Sequence, residues 1–144
     1  MKYQDRRQKQ GRAGNTGKGG PKETGLQLKK TDAGFSFNLV ADNNEIIATS
    51  QVYTTKAACL KGISSVESNA PFAPIEDQTV KDYAAENNPK FEIFKDEAGE
   101  FRFHLKAENG EIIAASEGYK AKDGCLKGID SVKYNTVWSD IQEI

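Results

Sequence analysis

The 144-residue chain is poor in the residues that build metal centres and covalent scaffolds. It holds two cysteines, one histidine, one tryptophan and one methionine. Two thiols cannot form a disulfide framework, and a reducing compartment keeps them as thiols. One histidine with two cysteines falls short of a structural zinc site. No apolar run is long enough to span a membrane. The charged N-terminal stretch is not followed by the apolar segment that a secretory signal requires. These absences predict a cytoplasmic protein with no metal, no cofactor and no membrane contact. His104, the lone histidine, has no second partner of the right type to make a base-and-orienter chain for nucleophilic catalysis.

Charge is present but unevenly placed. Residues 1–22 hold seven cations (Lys2, Arg6, Arg7, Lys9, Arg12, Lys18 and Lys22) against one acid, Asp5, while the whole chain has a net charge of −1. A basic tail therefore precedes an acidic body. The tail has almost nothing apolar to offset its ordering entropy and reads as disordered. Within it, Gly14-Asn15-Thr16-Gly17-Lys18-Gly19 resembles a phosphate loop only superficially. The first glycine is misplaced, no Ser or Thr follows Lys18, and no strand precedes it.

What the body does contain is the same segment twice. Residues 35–69 align with 101–135 at a constant offset of 66, and twenty of the 35 positions are identical. A unit of this size buries too little core to stand alone, so the copies should pack as one folding unit. The expected organisation is a tail at 1–22, repeat 1 at 23–77, a linker at 78–90 and repeat 2 at 91–144.

Repeat 2 is the more legible copy. Phe91-Glu92-Ile93-Phe94 suggests a strand and Asp96-Glu97-Ala98-Gly99 a turn. Phe101 to Ala107 alternates apolar and polar residues with period two, and Asn109-Gly110 is a strong hairpin signal. Glu111 to Ser116 returns. Asn43-Asn44 is the corresponding turn in repeat 1. The period then becomes helical: Cys125, Leu126, Ile129 and Val132 in one copy, Cys59, Leu60, Ile63 and Val66 in the other. Thr54 or Thr55 is placed to cap the first helix, and Asn69 and Asn135 suit the helix ends. Gly62 and Gly128 inside the helices suggest close packing on the sheet. Short extended pieces follow, Ala73 to Asp77 and Trp138 to Gln142. In the linker, a helical turn is expected around Tyr83-Ala84-Ala85, ended by Pro89.

The alternation places Phe35, Phe37, Leu39, Phe101, Phe103 and Leu105 on a core face. It places Arg102, His104 and Lys106 together on the opposite face, where repeat 1 has Ser36, Asn38 and Val40. The basic stripe is not shared between the copies. With Arg6, Arg7, Lys9 and Arg12 of the tail it is the candidate anion or nucleic-acid surface, although the acidic body weighs against strong phosphate binding. Cys59 and Cys125 lie on apolar helix stripes and read as core residues. Asp42, Glu45, Glu108 and Glu111 flank hairpin turns and read as solvated.

The order of motifs resembles the YegP-like family of small tandem-repeat proteins of uncharacterised function. The matching string is Phe91 to Asp96, Gly99 to Phe103, Asn109 to Ala114, Ser116 to Tyr119, Lys122 and Gly128-Ile129. Repeat 1 departs from the pattern at Leu26-Gln27-Leu28, which stands for the aromatic strand, and at Asn44, which stands for the glycine. The resemblance implies two β3-α-β units joined into one antiparallel sheet with two helices on one face, of α+β class. It further implies that the C-terminal strands are exchanged between the units. It carries over no catalytic or ligand residues. The expected function is a non-enzymatic binding module for a protein partner, acting as a monomer with internal pseudo-symmetry. The alternative is a nucleic-acid-associated accessory protein that uses the basic arm.

Overall fold

A computed structural model describes residues 25–41, 45–138 and 141–144, without the side chains of 135–138. Strands β1 (Gly25–Thr31), β2 (Gly34–Val40) and β3 (Ile46–Thr49) precede helix α1 (Lys56–Asn69). A 3-10 turn (Ala70–Phe72) and strand β4 (Ile75–Asp77) follow. The second copy supplies β5 (Lys90–Lys95), β6 (Phe101–Lys106), β7 (Ile112–Ser116), α2 (Lys122–Trp138) and β8 (Ile141–Glu143).

The eight strands form one sheet in the order β4-β5-β6-β7-β3-β2-β1-β8. The strand after each helix does not return to its own repeat: β4 pairs with β5, and β8 with β1. The six central strands are antiparallel, joined by hairpins within each repeat and by the β3–β7 pairing between repeats. The exchanged strands run parallel to their neighbours, because a helical crossover rather than a hairpin delivers them. The sheet is therefore mixed where a wholly antiparallel one was expected. At its centre only two register pairs join the repeats, Ala48 with Ser116 and Thr49 with Ala115. Thr49 and Ala115 are 66 apart, so the pseudo-two-fold axis passes between them.

Period-two alternation sets the core. Leu26, Leu28, Phe37, Leu39, Phe91, Ile93, Phe103 and Leu105 are buried beneath Cys59, Ile63 and Val66 of α1 and Cys125, Ile129 and Val132 of α2. Each aliphatic or aromatic side chain among them contributes roughly 1.5–3 kcal/mol on burial. Phe35 and Phe101 are only partly buried, because they sit at strand entrances bridged to Tyr53 and Tyr119. Those tyrosines explain the helix glycines. A methyl group at Gly62 would collide with the Tyr53 hydroxyl, and one at Gly128 with the Tyr119 hydroxyl. The Tyr53 and Tyr119 rings stack on Phe37 and Phe103 at 6.4 and 6.5 Å between centroids.

Local signals resolve well. The Thr55 side chain accepts the Ala58 amide at 3.0 Å and caps α1. Gly110 turns the second hairpin at φ 86°. Asn43 and Asn44 lie outside the described residues. Trp138, expected in an extended piece, is instead the last residue of α2. The cause is one substitution between the copies: Pro71 opens the 3-10 turn after α1, whereas Val137 stands at its place and lets α2 continue. The linker has no helical turn at Tyr83-Ala84-Ala85. Its backbone is tied to the sheet instead: Glu86 N–H donates to Glu76 Oε1 at 2.8 Å, and Glu86 O accepts from Lys90 Nζ at 3.2 Å.

Candidate functional site

The face opposite the helices carries most of the polar strand positions. One row crosses all eight strands in register: Glu76, Glu92, His104, Ala115, Thr49, Asn38, Gln27 and Gln142. The pseudo-two-fold axis pairs Glu76 with Gln142, Glu92 with Gln27, and His104 with Asn38. The copies share a backbone but not this chemistry. The half built on β5 and β6, with the exchanged β4, is ionic, and the half built on β2 and β1, with the exchanged β8, carries amides.

The ionic half is closely connected. Glu92 Oε1 lies 2.5 Å from His104 Nε2, while Glu92 Oε2 meets Lys90 Nζ at 3.2 Å and Lys106 Nζ at 3.3 Å. Lys90 Nζ also reaches Glu76 Oε1 at 2.8 Å, and Gln78 Nε2 donates to Glu76 Oε2 at 2.6 Å. Glu76 and Glu92 are buried although they stand on the helix-free face. The linker accounts for this at Glu76, since Glu86 lies against it. Hydrogen bonds from Lys90, Gln78 and the Glu86 amide hold the Glu76 carboxyl down to about 2. Burial pushes the Glu92 carboxyl up, but His104, Lys90 and Lys106 together more than offset this and leave it low. The Lys90 ammonium is raised, chiefly by Glu76. On the amide half, Asn38 Nδ2 reaches Gln27 Oε1 at 3.5 Å, and the buried Asn38 Oδ1 has no hydrogen-bond partner among the described residues.

Arg102, His104 and Lys106 do share one face of β6, as their alternation predicts. Each is paired with an acid. Arg102 Nε donates to Asp96 Oδ2 at 2.6 Å, and His104 and Lys106 both meet Glu92. The aromatic ring of Phe94 stands beside them, 4.9 Å from the imidazole between centroids. Arg6, Arg7, Lys9, Arg12 and the glycine-rich stretch of the tail lie outside the described residues. So does Asp42. Glu45, Glu108 and Glu111 are exposed at turns. Cys59 and Cys125 are fully buried, and burial pushes both thiols up to about 11. Among the described residues, no three His, Cys, Asp or Glu side chains converge as a metal site. No described helix is long and apolar enough to cross a membrane.

Sequence reasoning missed Glu76, Glu92 and Lys90. Their grouping depends on β4 lying beside β5, which no local pattern in the sequence shows. The available signal was the disagreement between copies, Glu76 against Gln142 and Glu92 against Gln27.

A family model described as "Domain of unknown function (DUF1508)" matches residues 31–77 and 96–143, one match per repeat. The chain belongs to this family. A UPF0339 protein of Photorhabdus laumondii is 43% identical over 105 residues, 72% of this chain and 79% of that protein. A UPF0339 protein from the ptx operon region of Stutzerimonas stutzeri is 69% identical over 45 residues, 31% of this chain and 40% of that protein. The solution structure of yegP from E. coli, described as a protein of unknown function, matches with a TM-score of 0.68. It is 33% identical, over 83% of this chain and 90% of that chain.

Proposed function

We infer that the protein is a non-enzymatic binding module whose working surface is the repeat 2 half of the helix-free sheet face. One observation carries this reading. The repeats agree in core and tyrosine–glycine packing, yet differ on the helix-free face, where Arg102 and Lys106 stay partly exposed beside the buried acids. Packing demands the shared positions; it does not demand a buried ionic cluster on one half and amides on the other. A fixed, largely paired arrangement of cations and acids suits a partner with complementary charges and hydrogen bonds better than a bulk polyanion. The default setting for this role is the cytoplasm.

The direct test converts the ionic face into its counterpart. The variant Arg102→Ser, His104→Asn, Lys106→Val places the repeat 1 residues on β6. Affinity purification from the native cell, with and without nuclease, should recover a partner with the wild-type chain that is lost with the triple variant and indifferent to nuclease. Identical captures from both chains would overturn the reading. The tail's seven cations favour a second reading, nucleic-acid association through Arg6, Arg7, Lys9 and Arg12. On that reading, mobility shifts of DNA or RNA fall steeply with salt and vanish when residues 1–22 are deleted. Unshifted mobility at low salt would end it.

A further inference from the structure

The two exchanged strands are pseudo-equivalent. Ile75-Glu76-Asp77 corresponds to Ile141-Gln142-Glu143, and each takes an ion pair from the first lysine of a helix. Lys122 Nζ meets Asp77 Oδ2 at 2.7 Å, and Lys56 meets Glu143. The backbone bonds just past the strands also match: Gln78 N–H donates to Ile93 O and Ile144 N–H to Leu28 O, both at 2.9 Å.

Side chains break the equivalence. β4 is held by the Glu76 cluster and by Thr79, whose amide and hydroxyl both donate to Asp77. β8 carries Gln142 in place of Glu76. Its Lys56–Glu143 pair is 43% and 45% exposed, against 33% and 27% for Lys122–Asp77, and Ile144 is 64% exposed. Only Ile141 anchors β8 in the core. A three-residue edge strand with one buried anchor and an exposed ion pair opens at low cost. When it opens, β1 presents an unpaired edge over Leu26 to Leu28 and the socket of Ile141.

We propose that this edge accepts β8 of a second copy of the chain, giving a two-fold dimer in which each chain seats Ile141–Glu143 on the other's β1. β1 already takes this strand from outside its own repeat, so nothing in the register distinguishes a strand from the same chain from one of another copy. Lys56 offers Glu143 of either chain the same ion pair. The molecule also leaves a surface for a copy to cover where α2 meets the 3-10 turn: Phe72 is 82% exposed and Tyr134 68%, beside the Lys133 Nζ–Ala73 O bond of 2.9 Å. α2 delivers β8 from this end, so a copy exchanging β8 is brought close to those rings.

The test uses two full-length variants, Gln27→Cys and Gln142→Cys, whose positions are register partners across β1 and β8. The native thiols are fully buried and do not compete. The variants are mixed at high concentration and oxidised slowly. The proposal expects a disulfide-linked heterodimer severalfold above a control that pairs Gln27→Cys with the exposed Lys120→Cys. It also expects wild-type light scattering to show a dimer fraction that grows with concentration and is lost in Ile141→Asp. Heterodimer at control level, with scattering that stays monomeric, would overturn it. If an unrelated alternating peptide bearing one cysteine labels Gln27→Cys as fast as the Gln142→Cys chain does, the edge is a general strand acceptor and the claim for a second copy falls.

Discussion

β4 and β8 occupy opposite edges of the sheet, carry the same Ile-polar-acid pattern and make the same backbone bonds, yet different side-chain chemistry holds them. At the β4 edge two carboxylates, two lysines and a histidine interlock, and the linker's Glu86 amide bonds to one of the acids. At the β8 edge amides and one exposed ion pair take their place. The difference shows what duplication leaves free. Identity between the copies is concentrated where geometry is strict: the hairpins, the apolar stripes, and Tyr53 against Gly62 or Tyr119 against Gly128. The helix-free face lies outside those constraints, and there the copies have diverged into an ionic half and an amide half. The asymmetry of the face and that of the edges are one fact, because Glu76 belongs to both.

The sharpest way to break the comparison is to remove the corresponding residues one at a time. Glu76→Ala strips Lys90 of its nearest acid and leaves the Glu86 amide without its acceptor. The expected loss in denaturant unfolding is about 2–3 kcal/mol, at the low end for a buried pair because Glu92 still faces Lys90. Gln142→Ala at the other edge should stay within about 0.5 kcal/mol. Similar losses at both edges would refute the asymmetry.

Acid separates the edges further. The Glu76 carboxyl sits at about 2 in the fold against an ordinary 4.5, so the folded state binds its proton less readily than the unfolded chain does. Its contribution is complete above pH 4.5 and is lost as pH falls toward 2. Glu76→Gln should flatten that part of the stability curve, measured by thermal unfolding between pH 5 and 2, whereas Gln142→Glu should not reproduce it at the other edge. The smallest effect belongs to the helix lysines. Lys122→Ala should cost about 0.5–1 kcal/mol and Lys56→Ala less, in proportion to the exposure of their partners.

Much of the fold was legible because it is written in local periodicity. Phe101 to Ala107 declares a strand, Cys125 to Val132 a helix, and Gly110 a turn, each through the residues that need that geometry. The paired glycines Gly62 and Gly128 gave notice of close packing, though not that tyrosines fill the space. The exchange was implied only by resemblance. Ile75-Glu76-Asp77 is too short to carry any signal of which edge it joins, and its choice is settled by where α1 releases the chain. The parallel pairing at the edges was hidden for the same reason. The basic stripe on β6 was correctly placed on one face, but its neutralisation was not visible, because Glu92 lies on a different strand and Asp96 in a turn. Trp138 was misplaced because the effect of losing Pro71 appears only when the copies are compared position by position.

The most direct test of unequal edges compares two amides that make matching bonds, Gln78 N–H to Ile93 O and Ile144 N–H to Leu28 O. Native-state hydrogen exchange followed through low denaturant reads the opening of each. The account predicts that the Ile144 amide exchanges through a small local opening that denaturant barely alters, while the Gln78 amide is far better protected and its exchange accelerates with denaturant as larger unfolding takes over. Equal protection at the two amides, with the same denaturant dependence, would contradict it.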